Sequence, residues 1–280
     1  MRVRTILVGI VFSGLSVCAH AQWLNYRAAG TPRTREGKAN LAAPAPRASN
    51  GKLDLSGIWQ AEGAPFKELI KYVPDNGVNG VGESDPSLYF FNVLADFKPE
   101  EAPLQPAAAA ARRQQAEGVG KGGPASLCLP TTPIPMAEVS PSPFKIVQTP
   151  GLILFLYEAD TAFRQVYLDG RKHPDDPQPS WLGYSVGRWD GDSLVVDVVG
   201  FTDRSPLDII GHTHSDAMRL TERFHRRDFG HMDVQITIDD PKTYTRPFTY
   251  KFTDRLMPDT DLIESFCTEN EKDTKHMAVK

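Results

Sequence analysis

From Phe144 onward the chain is a succession of short apolar runs, each cut by a turn before it reaches the length of an ordinary helix. Pro150-Gly151 separates Phe144 to Thr149 from Leu152 to Ala159, and Asp169-Gly170 ends Phe163 to Leu168. Asp190-Gly191 joins Leu182 to Trp189 with Ser193 to Phe201, and Asp228-Phe229-Gly230 joins Met218 to Arg226 with Met232 to Asp239. Pro258-Asp259 stands between Phe248 to Leu256 and Leu262 to Cys267. Asp-Gly between two β-type runs is a strong hairpin signal, and Pro-Gly suits the centre of a type II turn. No helical run separates these segments, which excludes a parallel βαβ fold. With the run at Trp59 they predict about nine strands in an antiparallel meander that closes into a barrel.

Alternation along the strands assigns their faces. Met232, Val234, Ile236 and Ile238 alternate with Asp233, Gln235, Thr237 and Asp239, so this strand has one wet face. On the strand before it, Met218, Leu220 and Phe224 share a face with Glu222. A carboxylate there needs a cationic partner, for which Arg219 and Arg223 are candidates, or else has a raised pKa suited to acid–base work.

Upstream, Arg2 and Arg4, the apolar stretch Ile6 to Val17 and Ala19-His20-Ala21 predict a signal peptide over residues 1–21. The apolar run is too short to span a bilayer, so no transmembrane segment is expected in the mature chain, which would be periplasmic or secreted. Cys18 offers lipidation as an alternative, although Val17 is a poor residue before a lipidated cysteine. Residues 22–50, rich in Ala, Pro, Arg and Thr, read as a disordered leader. Residues 51–280 read as a single β-barrel domain with an irregular insertion at 61–127. Phe66 to Val73 suits one or two helical turns, Pro106 to Gly118 a surface helix, and the proline-studded stretch after Cys128 an extended path. Gly118 to Gly123 follows a helix and lacks Ser or Thr after Lys121, which excludes a phosphate loop.

The net charge of −4 argues against nucleic acid as a partner. The one basic cluster, His225-Arg226-Arg227, is flanked by Glu222 and Asp228 and reads as a solvated strand end. Cys128 and Cys267 lack CxxC spacing, and in an oxidising compartment they predict one structural disulfide, with a redox or catalytic thiol as the alternative.

His212-Thr213-His214-Ser215-Asp216 is the densest polar chemistry in the chain. In an extended segment the two histidines and Asp216 fall on one side, a spacing suited to proton transfer or to chelating an ion. The string H-x-H-x-D is also found in metallo-β-lactamases, but Ala217 stands where their next histidine belongs, and that family is excluded. No metal ligand set is assigned and the cofactor is left unknown. His212, His214, Asp216 and Glu222 are the catalytic candidates. Asp203, Arg219, Tyr184 and Trp181 are the candidate ligand contacts.

Gly57-Ile58-Trp59 resembles the G-x-W at the first strand of lipocalin-type barrels, which implies a tryptophan closing the barrel base. More broadly, Pro143 to Gly151, Leu168-Asp169-Gly170-Arg171, Pro179 to Trp189, the His212 to Asp216 cluster and Thr221-Glu222-Arg223-Phe224 resemble a large family of exported bacterial proteins. That resemblance spans Cys128 to His276 with the Ser56 to Trp59 stretch, implies no particular reaction, and supports pairing of Cys128 with Cys267. The expected function is therefore binding of a small, partly apolar molecule by an exported calycin-like barrel. The alternative is a hydrolase, lyase or isomerase acting through the His/Asp/Glu cluster, with or without a metal.

Overall fold

The computed structural model describes residues 26–72, 86–117 and 134–266. Nine strands close into one barrel in chain order: β1 (Gly57–Ala61), β2 (Phe144–Gln148), β3 (Leu152–Tyr157), β4 (Phe163–Tyr167), β5 (Tyr184–Asp190), β6 (Ser193–Val199), β7 (Arg219–Arg226), β8 (His231–Asp239) and β9 (Phe248–Leu256). β9 pairs antiparallel with β1 to complete the ring. The signal peptide and both Cys128 and Cys267 lie outside the described residues. Residues 262–266, the described part of the run Leu262 to Cys267 read as a strand, form none.

One pair departs from the meander. β4 and β5 run parallel, with only Val166 opposite Ser185 and Tyr167 opposite Val186. Neighbouring strands of a meander alternate in direction, and a ring of strict alternation needs an even number of members. Nine strands therefore force a parallel neighbour somewhere, and it falls where the connector 168–183 is long enough to carry the chain back across the barrel. That connector returns beside the end of β6, where the Ser180 N–H donates to the Gly200 carbonyl at 3.0 Å. Close packing at the seam depends on Gly187, since a Cβ there would lie 2.7 Å from both Val166 and Leu168.

Register places the inward residues in continuous rows. Gly187, Val196, Glu222, Ile236 and Tyr250 follow one another across β5 to β9, and Val166, Ser185, Val198, Leu220, Ile238 and Phe248 across β4 to β9. Most are aliphatic or aromatic and fully buried, so the interior is a packed core interrupted by a few charged groups.

Trp59 closes the base, as the G-x-W resemblance implies. It is fully buried, and its Nε1–H donates to the Leu55 carbonyl at 2.9 Å. Arg226 lies over its ring with the guanidinium carbon 4.9 Å from the centroid. Far from being a solvated strand end, Arg226 is buried and donates to the carbonyls of Asp54, Ser56, Asp228 and Phe229. Burial lowers its pKa to about 10. Residues 26–50, expected to belong to a disordered leader, contain no helix or strand and are pinned to this end. Arg33 pairs with Asp259, Arg47 with Asp192, and Leu41 and Ala43 accept from Gly230 and Phe229.

The opposite end is covered by short helices: α1 (Phe66–Leu69), α2 (Leu88–Phe91) and α4 (Ile134–Val139). Helix α3 (Pro106–Glu117) begins at a proline, and among residues 106–112 Ala108 is buried while the others are partly or fully exposed. The extended path expected from the prolines after Cys128 gives way at α4. Pro135 sits in the first turn, where its missing N–H would have had no helical acceptor. All six residues of α4 are buried.

Replacing Trp59 with alanine removes the largest buried side chain at the base and the ring beneath Arg226. The expected loss of stability is about 3–5 kcal/mol by urea denaturation. A loss within the range of an ordinary surface substitution would show that the ring does not close the base.

Candidate functional site

Two features interrupt the packed, paired barrel: the cleft at the seam between β4 and β5, and the charged groups in the interior behind it. At the seam a cleft of about 380 Å³ opens on the outer surface. Phe163, Gln165 and Tyr167 line it from β4, and Trp181, Leu182 and Tyr184 from the connector and β5. Tyr167 and Tyr184 stack at 5.5 Å, with the Arg171 guanidinium 3.8 Å above the Tyr167 ring. Phe163 is 64% exposed, an apolar edge facing solvent.

Arg164 and Ser185 also line the cleft, and their side chains are buried. The Arg164 Nε–H donates to Ser185 Oγ at 2.9 Å, bridging β4 to β5 where the backbone pairing is short. Its two terminal nitrogens reach across the barrel to both oxygens of Glu222, and one of them lies 3.4 Å from Glu138 Oε1 of α4. Tyr157 donates its hydroxyl to the same Glu138 oxygen at 2.5 Å. Glu222 thus has the cationic partner expected of it, but the partner is Arg164. Arg219 and Arg223 sit at alternate positions and face outward.

Burial raises the pKa of Glu222, and the Arg164 charge opposes the rise. The Glu138 carboxyl is pushed up to about 8, first by burial and then by the neighbouring Glu222 charge. Further round the ring, Asp254 of β9 is fully buried, and neither of its oxygens has a hydrogen-bond partner. Its pKa stands well above the usual carboxylate range because it is desolvated. Glu138 Oε2 and the Tyr250 hydroxyl are likewise buried without a partner.

The loop expected to rim the site, 202–217, folds inward over the same end. His212 is buried, with Nδ1 2.5 Å from Asp208 Oδ2. Asp208 also accepts from the backbone N–H groups of His212 and Val93, each at 2.9 Å, which ties the loop to the segment after α2. His214 is buried with Nε2 3.4 Å from Ser205 Oγ and Nδ1 3.2 Å from the Ser215 carbonyl. Burial lowers its pKa. Asp216 turns out to solvent and pairs with Lys242 at 2.7 Å. No hydrogen bond or ion pair joins any two of His212, His214, Asp216 and Glu222, because the segment leaves extended geometry for a turn at Asp216. Among the described residues no group of three or more His, Cys, Asp and Glu is arranged to hold a metal ion.

Of the expected ligand contacts, Trp181 and Tyr184 lie together in the seam cleft. Arg219 lines a separate, more polar cleft of about 490 Å³ with Asp216 and His173, and Asp203 is exposed. Residues the sequence reading missed include Arg164, Glu138, Asp208 and Asp254. Two of them carried a signal in strand parity. Arg164 shares a strand face with Val166, and Asp254 with Tyr250 and Phe252, as Glu222 does with Leu220 and Phe224. The architecture is a closed, nine-stranded β-barrel, compatible with the lipocalin-like class. Compared with protein-family models, with characterised proteins and with solved structures, the chain matches none.

The raised carboxyls set a pH dependence. Glu138 has a folded pKa of about 8, above the ordinary glutamate value of 4.5. Between these values the folded state holds a proton that the unfolded state has lost. Its stabilising contribution, complete below about 4.5, is therefore lost as pH rises to about 8, at no more than about 1.4 kcal/mol per pH unit for one proton. Asp254 acts in the same direction. Urea titrations from pH 5 to 8 are expected to show stability falling, with a shallower fall in Glu138→Gln. A fall equally steep in that variant would place the linked proton elsewhere.

Proposed function

We propose that this protein binds a small, partly apolar molecule at the seam cleft, as a protein exported to the periplasm or beyond. The observation that carries this reading is the cleft itself. At about 380 Å³ it has the size of a small-molecule site, aromatic walls, and polar groups at fixed places. Trp181 and Tyr184 supply flat apolar faces, Gln165 supplies an amide, and Arg171, ion-paired with Asp169, lies over the Tyr167 ring of the Tyr167–Tyr184 stack. A planar or ring-bearing molecule with one polar or anionic edge fits these walls best.

A reading as an enzyme of the hydrolase, lyase or isomerase type draws on the loop 202–217. Ser205 and His214 stand as a hydroxyl beside a neutral imidazole, with Nδ1 oriented by a carbonyl, an arrangement that can move a proton. Neither residue lines the seam cleft or the cleft that contains Arg219, so binding is the better supported of the two.

Fluorescence titration with 1-anilinonaphthalene-8-sulfonate, an aromatic anion, tests the binding reading. The wild-type protein is expected to bind it at one saturable site. Trp181→Ala and Tyr184→Ala are each expected to weaken binding by about tenfold, the value of one aromatic contact. Affinity unchanged in both variants, with the fold intact by circular dichroism, would remove the cleft from consideration.

A further inference from the structure

The first half of β4 has a free backbone edge. In an antiparallel pair, residues that exchange both hydrogen bonds alternate with residues that exchange none. Between β3 and β4 the Tyr157 N–H donates to the Ala162 carbonyl and the Leu168 N–H to the Gly151 carbonyl, each at 2.9 Å. The register between these bonds sets Leu156 opposite Phe163, Phe155 opposite Arg164 and Leu154 opposite Gln165. Arg164 and Val166 therefore turn their N–H and C=O groups to β3, whereas Phe163, Gln165 and Tyr167 turn theirs to the seam. Pairing with β5 begins only at Val166 opposite Ser185, which occupies the Gln165 carbonyl and the Tyr167 N–H. Among the described residues no hydrogen bond takes up the N–H or C=O of Phe163, or the N–H of Gln165. Both residues line the seam cleft of about 380 Å³, so these groups stand at its wall.

We infer that the molecule taken by the seam cleft is an N-acylated aromatic amino acid, held by main-chain hydrogen bonds to Phe163; this rests on the reading of the cleft as a binding site. An unpaired strand edge is a template for another backbone, and Phe163 offers it a donor and an acceptor from one residue. An antiparallel partner residue answers both: its amide N–H donates to the Phe163 C=O, and its carboxylate accepts from the Phe163 N–H in a charge-assisted bond. In that direction the acyl group runs toward the Gln165 N–H. The edge has room for one residue and not for a longer strand, because β5 closes it from Val166 onward and the short 3₁₀ turn Ala159–Thr161 precedes it. Trp181, Leu182 and Tyr184 form the facing wall, which suits an aromatic side chain, and the volume suits one ring with a short acyl group.

The experiment is displacement of 1-anilinonaphthalene-8-sulfonate by N-acetyl-L-phenylalanine, with two analogues. N-acetyl-N-methyl-L-phenylalanine lacks the amide N–H, and 3-phenylpropionate lacks the whole amide. The probe is expected to displace the dye from the wild-type protein, and each analogue to do so about tenfold less well, the value of one hydrogen bond. On the protein side, Phe163→Pro removes the free N–H and leaves every bond between β3 and β4 in place. Ala162 before it already has φ −82° and ψ 156°, a conformation suited to the residue preceding a proline. Phe163→Ala removes the ring and keeps the N–H, and Phe163→Pro is expected to bind the probe about tenfold more weakly than Phe163→Ala does. Should Phe163→Pro not fold, the three ligands on the wild-type protein decide alone. The inference is overturned if the probe does not displace the dye, if the N-methyl analogue displaces it equally well, or if the two Phe163 variants bind the probe alike. In those cases dye binding that depends on Trp181 and Tyr184 leaves the cleft reading standing. Dye binding indifferent to Trp181→Ala and Tyr184→Ala overturns both.

Discussion

A closed ring of nine strands cannot alternate in direction all the way round, and that parity governs the rest of this structure. β1 and β9 close the ring antiparallel, so the unavoidable parallel pair falls at β4 and β5. The pair shares only two residue positions, whereas β8 and β9 share eight. Parallel pairing also requires a crossover, and the connector 168–183 brings Trp181 and Leu182 alongside β4. The cleft is therefore a product of topology. It lies where two strands share only two residue pairs and an aromatic-bearing loop passes.

The weak seam explains why a guanidinium is buried beneath it. Arg164 is planar and forked, so one side chain can hold Ser185 on the neighbouring strand, Glu222 on the far wall and Glu138 on the capping helix. Desolvating such a group is costly, and a buried ion pair is by itself weak evidence of stability. Its contribution is better understood as geometric: it fixes the distance across the seam and the seating of α4 together. Glu138 then sits beside a second carboxyl in a desolvated space, and its raised pKa follows directly.

Strand number, order and facing were legible because each depends on period-two alternation and on short turn signals, both local properties of the chain. Glu222 stood out for the same reason, as a charge on the face of Leu220 and Phe224. Its partner was not legible, since pairing β7 with β4 across the interior depends on barrel closure, and Arg219 and Arg223 were nearer in sequence but on the wrong face. The resemblance at Gly57-Ile58-Trp59 anticipated the closed base but not Arg226. Read from its neighbours, Arg226 looked solvated, whereas strand parity places it with Phe224 and inward. His212 and His214 are buried, but the turn at Asp216 breaks the one-sided arrangement expected of the three and leaves that carboxylate to Lys242. Asp208, four residues before His212, has no signal of its own beyond that spacing.

The barrel treats buried charge in two opposite ways. At the base the buried cation Arg226 meets four carbonyl oxygens and two aromatic rings, and each of its nitrogens has an acceptor. Elsewhere in the interior Glu138 of α4 and Asp254 of β9 keep carboxyl oxygens that nothing in the described protein satisfies. A chain under selection for stability alone could replace Asp254 with an apolar residue, since neighbouring Met232, Ala61 and Leu256 already line a dry wall. Retaining a fully buried, unpartnered aspartate is a standing cost of folding. The base is thus built as a stopper, whereas the interior above it carries buried carboxyls at a cost to folding.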